Sequence, residues 1–401
     1  MFDADFYRDP YRIYDRLRDQ GPVQQVQVSS RGHHAWLITG YEQARAALTD
    51  PRLSRDTRRF AYLFGDRRDI APALKSNMLA TDPPDHTRLR RLAAPAFTAT
   101  AVDRLRPRIQ QITDQLLDTI APQGAADLIS EFAVPLPVTI ICELLGVPEH
   151  DRPQLRHWSN TLFTIADATT RDRASHHIAD YMTALVDRNY HRADDATTRQ
   201  DGDLLGTLIT ARHRGDRLSQ QEVVSLAVLL LIAGHETTTN LIGNAVLALL
   251  LNPDQHTAVT ADLDRLAPAI EEFLRYDSPL GIATVRFTTQ PVTYGPTTIP
   301  AEQIVMIGIG AANRDPAHYA APAALDLTRP GPQSHLAFGH GPHYCLGSAL
   351  ARAEAHIALA TLLRRLPGLQ LDTSPDQLAW RPSRMMRGLR ALPGRWHPGP
   401  H

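Results

Sequence analysis

Apolar residues along this chain recur mainly at the three-to-four-residue spacing of amphipathic helices. The two-residue alternation of strands is confined to stretches nearer the two ends. Asp9 followed by Pro10 predicts a helix start, and Gly21 its end. Residues 23–28 and 34–39 read as short strands, and residues 41–48 as a short helix. Residues 51–80 are rich in Arg, Asp and Pro and predict a long irregular connection, a kind of segment that is functional or disordered in compact domains. Helical spacing resumes over 85–120 with a break near 97–100. It continues over 134–145, where Gly146 and Pro148 end it. Residues 153–192 predict one or two amphipathic helices, and 192–203 a surface loop. Ser219 with Glu222 is a capping box that opens a helix of about 30 residues, stopped at Asn252-Pro253. After a helix over 268–276 the period changes. Residues 282–288, 292–299 and 304–309 alternate like strands, punctuated by Gly295-Pro296 and Pro300. Residues 313–343 are irregular, 346–366 form a strong helix, and 378–393 have turn and strand character. The expected architecture is mainly α with small β-sheets, in one domain over 1–401 with a β-richer part over 1–80 and a helical core over 81–401.

The chain has 401 residues, enough to bury a large core without staples. Its 42 basic residues balance 43 acidic ones, which argues against a nucleic-acid partner or a polybasic membrane anchor. Two cysteines, Cys142 and Cys345, exclude a disulfide scaffold and suggest a reducing cytoplasm. The acidic start has no signal-peptide core. The purest apolar run, 226–234, rises only about 14 Å as a helix, half a bilayer core. His235, Glu236 and Asn240 interrupt its continuation, so a buried core helix is expected rather than a membrane span.

Candidate chemistry centres on Phe338-Gly339-His340-Gly341-Pro342-His343-Tyr344-Cys345-Leu346-Gly347. A cysteine just ahead of a long helix meets the positive potential of the helix N-terminus, which favours a thiolate. Glycines let backbone N–H groups approach the sulfur, and a single soft thiolate suits haem iron. A second polar patch, Ala233-Gly234-His235-Glu236-Thr237-Thr238, breaks the middle of the apolar helix, where an acid and hydroxyls are costly unless bonded or used. Gly234 weakens the helix there and is expected to leave room for something bound beside it. A zinc site is excluded, because the second histidine of a His-Glu-x-x-His helix would fall at Thr239. Glu272 and Arg275 share a helix face, as do His86 and Arg90, a pair spaced to reach one carboxylate. Cys142 reads as a buried inert thiol.

The cysteine string resembles the haem-thiolate loop of the cytochrome P450 superfamily, Phe-x-x-Gly-x-x-x-Cys-x-Gly: Phe338, Gly341, Cys345 and Gly347 match at every position. The helix patch fits the family's (Ala/Gly)-Gly-x-(Asp/Glu)-Thr-(Thr/Ser), and Glu272-Phe273-Leu274-Arg275 fits its Glu-x-x-Arg, with Arg329 where a partner arginine is expected. The resemblance covers about 82–393. It implies the cytochrome P450 fold, a triangular helical prism around a buried haem b. Cys345 would be the iron ligand, Glu236 and Thr237 the proton-delivering pair, and Phe338 a neighbour of the sulfur. Ala233, Gly234 and Gly347 would border the haem, and His86, Arg90, Arg286 and His343 would hold its propionates. Glu272, Arg275 and Arg329 would be structural.

A haem-thiolate monooxygenase of the bacterial type follows. It would use O2 and electrons from NAD(P)H, delivered by a ferredoxin reductase and a ferredoxin. The expectation is a chain with no fused reductase and no N-terminal anchor, a cytoplasmic monomer without membrane or nucleic-acid partners. Arg352 and the Arg364-Arg365 pair are candidates for steering an acidic ferredoxin. By family position the pocket falls to Leu79, Leu162, Ile165, Leu230, Ile232, Leu280, Ile282, Ala283 and Met385, an aliphatic set with a small residue at Gly281. The wording of residues 82–89, 271–279 and 311–316 resembles actinobacterial members that tailor natural products. That implies hydroxylation or epoxidation of a macrolide or other polyketide, with a terpenoid, a steroid-like molecule or a peptide as the other substrate classes left open. The alternatives are an H2O2-driven peroxygenase, which needs no acid–alcohol pair, and a haem protein that only binds a ligand.

Overall fold

The computed structural model describes residues 1–28, 32–64, 69–163, 167–193, 204–213, 215–329 and 334–398. Contacts gather these into two compact units: Met1–Ser54 with Gln110–Pro135 and Thr237–His401, and Arg55–Ile109 with Leu136–Glu236.

The first unit carries a five-stranded sheet. Its strands are β1 (Val23–Gln27), β2 (His34–Ile38), β3 (Leu53–Ser54), β4 (Arg286–Thr288) and β5 (Ile304–Ile307), in the order β1-β2-β5-β4-β3. β1 and β2 pair antiparallel from Val23↔Ile38 to Gln27↔His34, β5 runs parallel to β2, and β4 is antiparallel to both β5 and β3. The strand expected over 282–288 shrinks to its last three residues. The N–H groups of Gly281 and Ile282 donate instead to the Met385 carbonyl (2.8 and 3.3 Å), drawing that backbone onto the C-terminal turn. The 292–299 stretch is a hairpin, Val292–Tyr294 against Thr297–Ile299, turning at Gly295 with φ 61°. A second sheet joins Gln370–Leu371, Pro393–Arg395 and Ala125–Asp127; strands this short offer no alternation to read.

Asp9 caps helix Pro10–Arg18, accepting from the N–H groups of Tyr11 and Arg12. Asn252-Pro253 stops the long helix as expected, but Pro253 also opens an unforeseen helix, Pro253–Ala261, at its first position.

Helix Leu266–Tyr276 holds the unit's most desolvated charge. The Arg275 side chain is 0% exposed and the Glu272 side chain 1%. The guanidinium donates to both Glu272 oxygens (2.7 Å each) and to the carbonyls of Asn313, Pro322 and Ala324 (3.0, 2.8 and 3.0 Å). Arg329 joins at 3.3 Å, as the resemblance implied.

The second unit is helical. The expected break near 97–100 is a tight turn, Ala94–Phe97, between helices Asp85–Ala93 and Ala99–Ile120. The 153–192 region is two packed helices, Arg152–Phe163 and Ala168–Ala193, so 192 and 193 continue a helix and the rest of the loop expected there, 194–203, lies outside the described residues. Leu204–Thr210 is a further helix, burying Leu204, Leu205, Leu208 and Ile209. Among the described residues, the 51–80 connection holds β3, the one-turn helix Pro72–Lys75 and the tight turns Ala61–Phe64 and Met78–Ala80.

Both capping-box bonds form: Ser219 N–H donates to Glu222 (2.8 Å), and Glu222 N–H donates to Ser219 Oγ (3.3 Å). The helix they open, Gln220–Leu251, is long and apolar enough to cross a bilayer. However, 67% of its apolar window is buried inside the protein, as a core helix requires. Cys142 is buried, which pushes its thiol up to about 12 and leaves it inert.

Glu272→Ala leaves a fully buried guanidinium without its carboxylate. Equilibrium unfolding should show a loss of about 3–5 kcal/mol, well beyond an exposed ion pair.

Candidate functional site

Cys345 lies in a tightly determined loop of the first unit. Its N–H donates to the Phe338 carbonyl (2.8 Å). Gly339 N–H donates to Leu336 (2.8 Å) and Tyr344 N–H to Gly341 (3.0 Å), so three backbone bonds fold 336–345 onto itself. Gly341 takes φ 74°, and a Cβ there would come 2.5 Å from Thr49 Cγ2, so only glycine fits. Gly347 is the N-cap of helix Ser348–Arg365, which puts the cysteine two residues before the cap. Inside this locked frame the cysteine itself is exposed.

Behind the loop stands an ionic group that the sequence did not foretell. Arg352 binds Glu271 with both arms, Nε at 2.6 Å and Nη2 at 2.8 Å. Ala337 N–H donates to His335 Nδ1 (3.1 Å), which leaves the ring proton on Nε2, 3.0 Å from Glu271. Arg352 Cζ sits 4.4 Å over the Phe338 ring. Burial would raise the Glu271 carboxyl, but hydrogen bonds from Arg352 and His335 and the charge of Arg352 outweigh it and hold it at about 2. Arg352 is therefore an internal partner rather than a free steering group. Arg365 is likewise bound to Asp118 (2.8 Å), and of the three arginines expected to meet a ferredoxin only Arg364 is exposed.

Arg286, buried on β4, and half-buried His343, at the end of the turn Gly341–His343, belong to the same unit as Cys345. His86 and Arg90 belong to the other, on helix Asp85–Ala93. Burial, then the charges of Arg90 and Arg55, push the buried His86 ring down to about 4, against a smaller opposite pull from Asp82. Arg55 is thus the third member of this cluster and its second guanidinium. Its separation of 31 positions from His86 gave no sequence signal. Two guanidiniums and an imidazole crowded together form a seat for a carboxylate.

The long helix opens along one stripe. Ala233 is exposed and Leu230, Gly234 and Thr237 are half-buried, at the i, i+3, i+4, i+7 positions of one face, whereas His235, Glu236, Thr238 and Thr239 are buried. Ile232 is half-buried but lies off that face. Gly234 was expected to leave room for a ligand. Its missing Cβ is instead taken up by Ile141, whose Cδ1 and Cγ1 would lie 3.3 Å away. His235 Nδ1 donates to the Leu231 carbonyl (2.7 Å), and Nε2 faces Ser159 Oγ at 3.4 Å, pinning the turn before Glu236 to helix Arg152–Phe163.

Of the pocket candidates, Leu79 and Leu162 are half-buried in the second unit, and Ile165 lies outside the described residues. In the first unit, Leu280 and Met385 are half-buried beside one another, joined by the Gly281–Met385 bond and the Leu280↔Met386 bridge. Ile282 and Ala283 turn into apolar core clusters, with Leu37 and Met306 and with Val305 and Ile307 respectively.

Residues 138–382 match the family described as Cytochrome P450. The chain belongs to the cytochrome P450 family. It is 46% identical to cytochrome P450 107B1 of Saccharopolyspora erythraea over 98% of this chain and 96% of that protein. It is 39% identical to the mycinamicin IV hydroxylase/epoxidase of Micromonospora griseorubida, over 96% and 94%. The solved structure of PksS, the cytochrome P450 of the bacillaene polyketide synthase of Bacillus subtilis, superposes with a TM-score of 0.90 at 36% identity, covering 98% of each chain. This chain is therefore a P450-type oxidoreductase, and membership implies a haem-iron cofactor. The residues fit that group. An exposed cysteine held in a backbone-locked loop just ahead of a helix would offer such an iron a single thiolate.

The Glu271 carboxyl drops from its ordinary value of 4.5 to about 2 on folding. Its contribution is complete above pH 4.5 and is lost as pH falls toward 2. In acid titration of unfolding free energy, Glu271→Gln should abolish a component on the order of 2–3 kcal/mol between those limits and leave the slope above pH 5 unchanged.

Proposed function

We propose that this cytochrome P450 hydroxylates or epoxidises an apolar polyketide, a macrolide best of all, in the tailoring of a natural product. The observation that carries the chemistry is the exposed Cys345 thiol inside an otherwise locked loop at a helix start. A buried structural cysteine needs no such frame, and a ligand to a large planar cofactor does. In this reading Cys345 ligates the iron of haem b. His86 and Arg90, joined by Arg55, receive propionate charge, as do Arg286 and His343. Bound there, haem supplies the activation of O2, one atom entering the substrate and the other leaving as water.

The protein's own part is to place substrate and protons. The open stripe Leu230, Ala233, Gly234 and Thr237 offers an apolar wall ending in a hydroxyl, with the buried Glu236 carboxyl one residue away. We assign Thr237 to hold a proton at the oxygen site and Glu236 to resupply it. Leu79, Leu162 and Met385 extend the apolar lining. The polyketide reading leans on the bacillaene relative and the hydroxylase/epoxidase relative. Electrons come from NAD(P)H through a ferredoxin reductase and a ferredoxin, and the enzyme works as a cytoplasmic monomer.

Reduced protein under carbon monoxide should show a strongly red-shifted Soret band, which Cys345→Ser removes. A wild-type spectrum without that shift overturns the reading, and polyketide lactones should give spin-state shifts in the same protein. Thr237→Ala should lower product formed per NADPH by about tenfold while O2 consumption continues. Unchanged coupling with O2 would overturn the role given to Thr237.

A further inference from the structure

We propose that the Glu271–Arg352 ion pair is a positioning element for Cys345 that acts through Phe338 and sets how readily the thiolate-bound haem accepts an electron. This rests on the reading of Cys345 as the iron ligand. The guanidinium faces two groups at once. On one side both of its arms close on Glu271 at 2.6 and 2.8 Å. On the other it lies 4.4 Å over the Phe338 ring, and Phe338 is the residue whose carbonyl accepts the Cys345 N–H at 2.8 Å. Glu271 first, and then Tyr344, the neighbour of the cysteine, strengthen the hold of Arg352 on its proton. His335 fixes the carboxylate from behind at 3.0 Å. The side chains of Glu271 and Arg352 are 9% and 34% exposed, so water screens the pair only in part.

The order of charges matters: loop, guanidinium, carboxylate. One-electron reduction of the ferric haem adds a negative charge beside the thiolate. The nearer positive charge favours that change, and the carboxylate behind it opposes it. Removing each partner should therefore move the reduction potential in opposite senses. A purely structural brace would not do so, since loosening the loop from either end has the same effect on it.

The test is spectroelectrochemical titration of the purified, haem-loaded protein, with dithionite as electron donor. Arg352→Gln should lower the midpoint potential, Glu271→Gln should raise it, and the double variant should fall between the two. Each variant should keep its red-shifted carbon monoxide band. Both single variants moving the same way, or neither moving, overturns the proposal. Should Arg352→Gln fail to hold haem, two others decide: Glu271→Gln must still raise the potential, and Arg352→Lys, which keeps the charge but loses the fork, must leave it near the wild type. A wild-type protein without a red-shifted carbon monoxide band would overturn the functional reading itself, a result distinct from any of these.

Discussion

A guanidinium cut off from water is among the most expensive groups a fold can carry, and Arg275 is one. Its cost is met by two bonds to Glu272 and three to main-chain carbonyls, of Asn313, Pro322 and Ala324. Those carbonyls belong to a stretch with little regular structure of its own. Glu272 also accepts the Asp326 N–H at 3.0 Å and Arg329 at 3.3 Å. The segment from 313 to 329 is therefore shaped around one buried ion pair, and its irregularity is a consequence of serving as that pair's solvent.

Order spreads from there toward the cysteine. Asn313, whose carbonyl binds Arg275, uses its side chain to accept the Leu336 N–H at 2.7 Å and to donate to Ser278 at 2.8 Å. Leu336 begins the cysteine loop. Glu271, the neighbour of Glu272 on the same helix, grips Arg352 and His335. Two adjacent carboxylates thus divide the labour: one neutralises the core, and the other reaches the ring beside the cysteine. The loop is closed by its own backbone bonds, which lowers the ordering cost of presenting its cysteine to a partner.

The long helix shows a second constraint. It runs through the core over most of its length, yet it carries a histidine, a glutamate and several threonines in its middle. Of these, Thr237 lies on the stripe along which the helix is open, and His235 is satisfied by Leu231 and Ser159. Gly234 serves close packing against Ile141 rather than an empty space.

The sequence by itself determined the helical class, the capping box, the long core helix and the cysteine loop with its acid–threonine patch. Each is a local pattern, written in residues a few positions apart, where spacing and backbone geometry act directly. It also held Glu272, Arg275 and Arg329, but only through likeness to a family. The tertiary structure alone decided that Arg352 answers Glu271 across 81 positions, that Arg55 stands beside His86, and that Ser159 meets His235. It also decided that Gly281 and Ile282 bond to the C-terminal turn while Ala283 N–H stays on the Ile307 carbonyl of β5, and that Ile282 and Ala283 turn into the core. Those outcomes depend on which surfaces the folded chain brings within a few ångströms. Pairing over such distances follows from packing and desolvation, which no local period records.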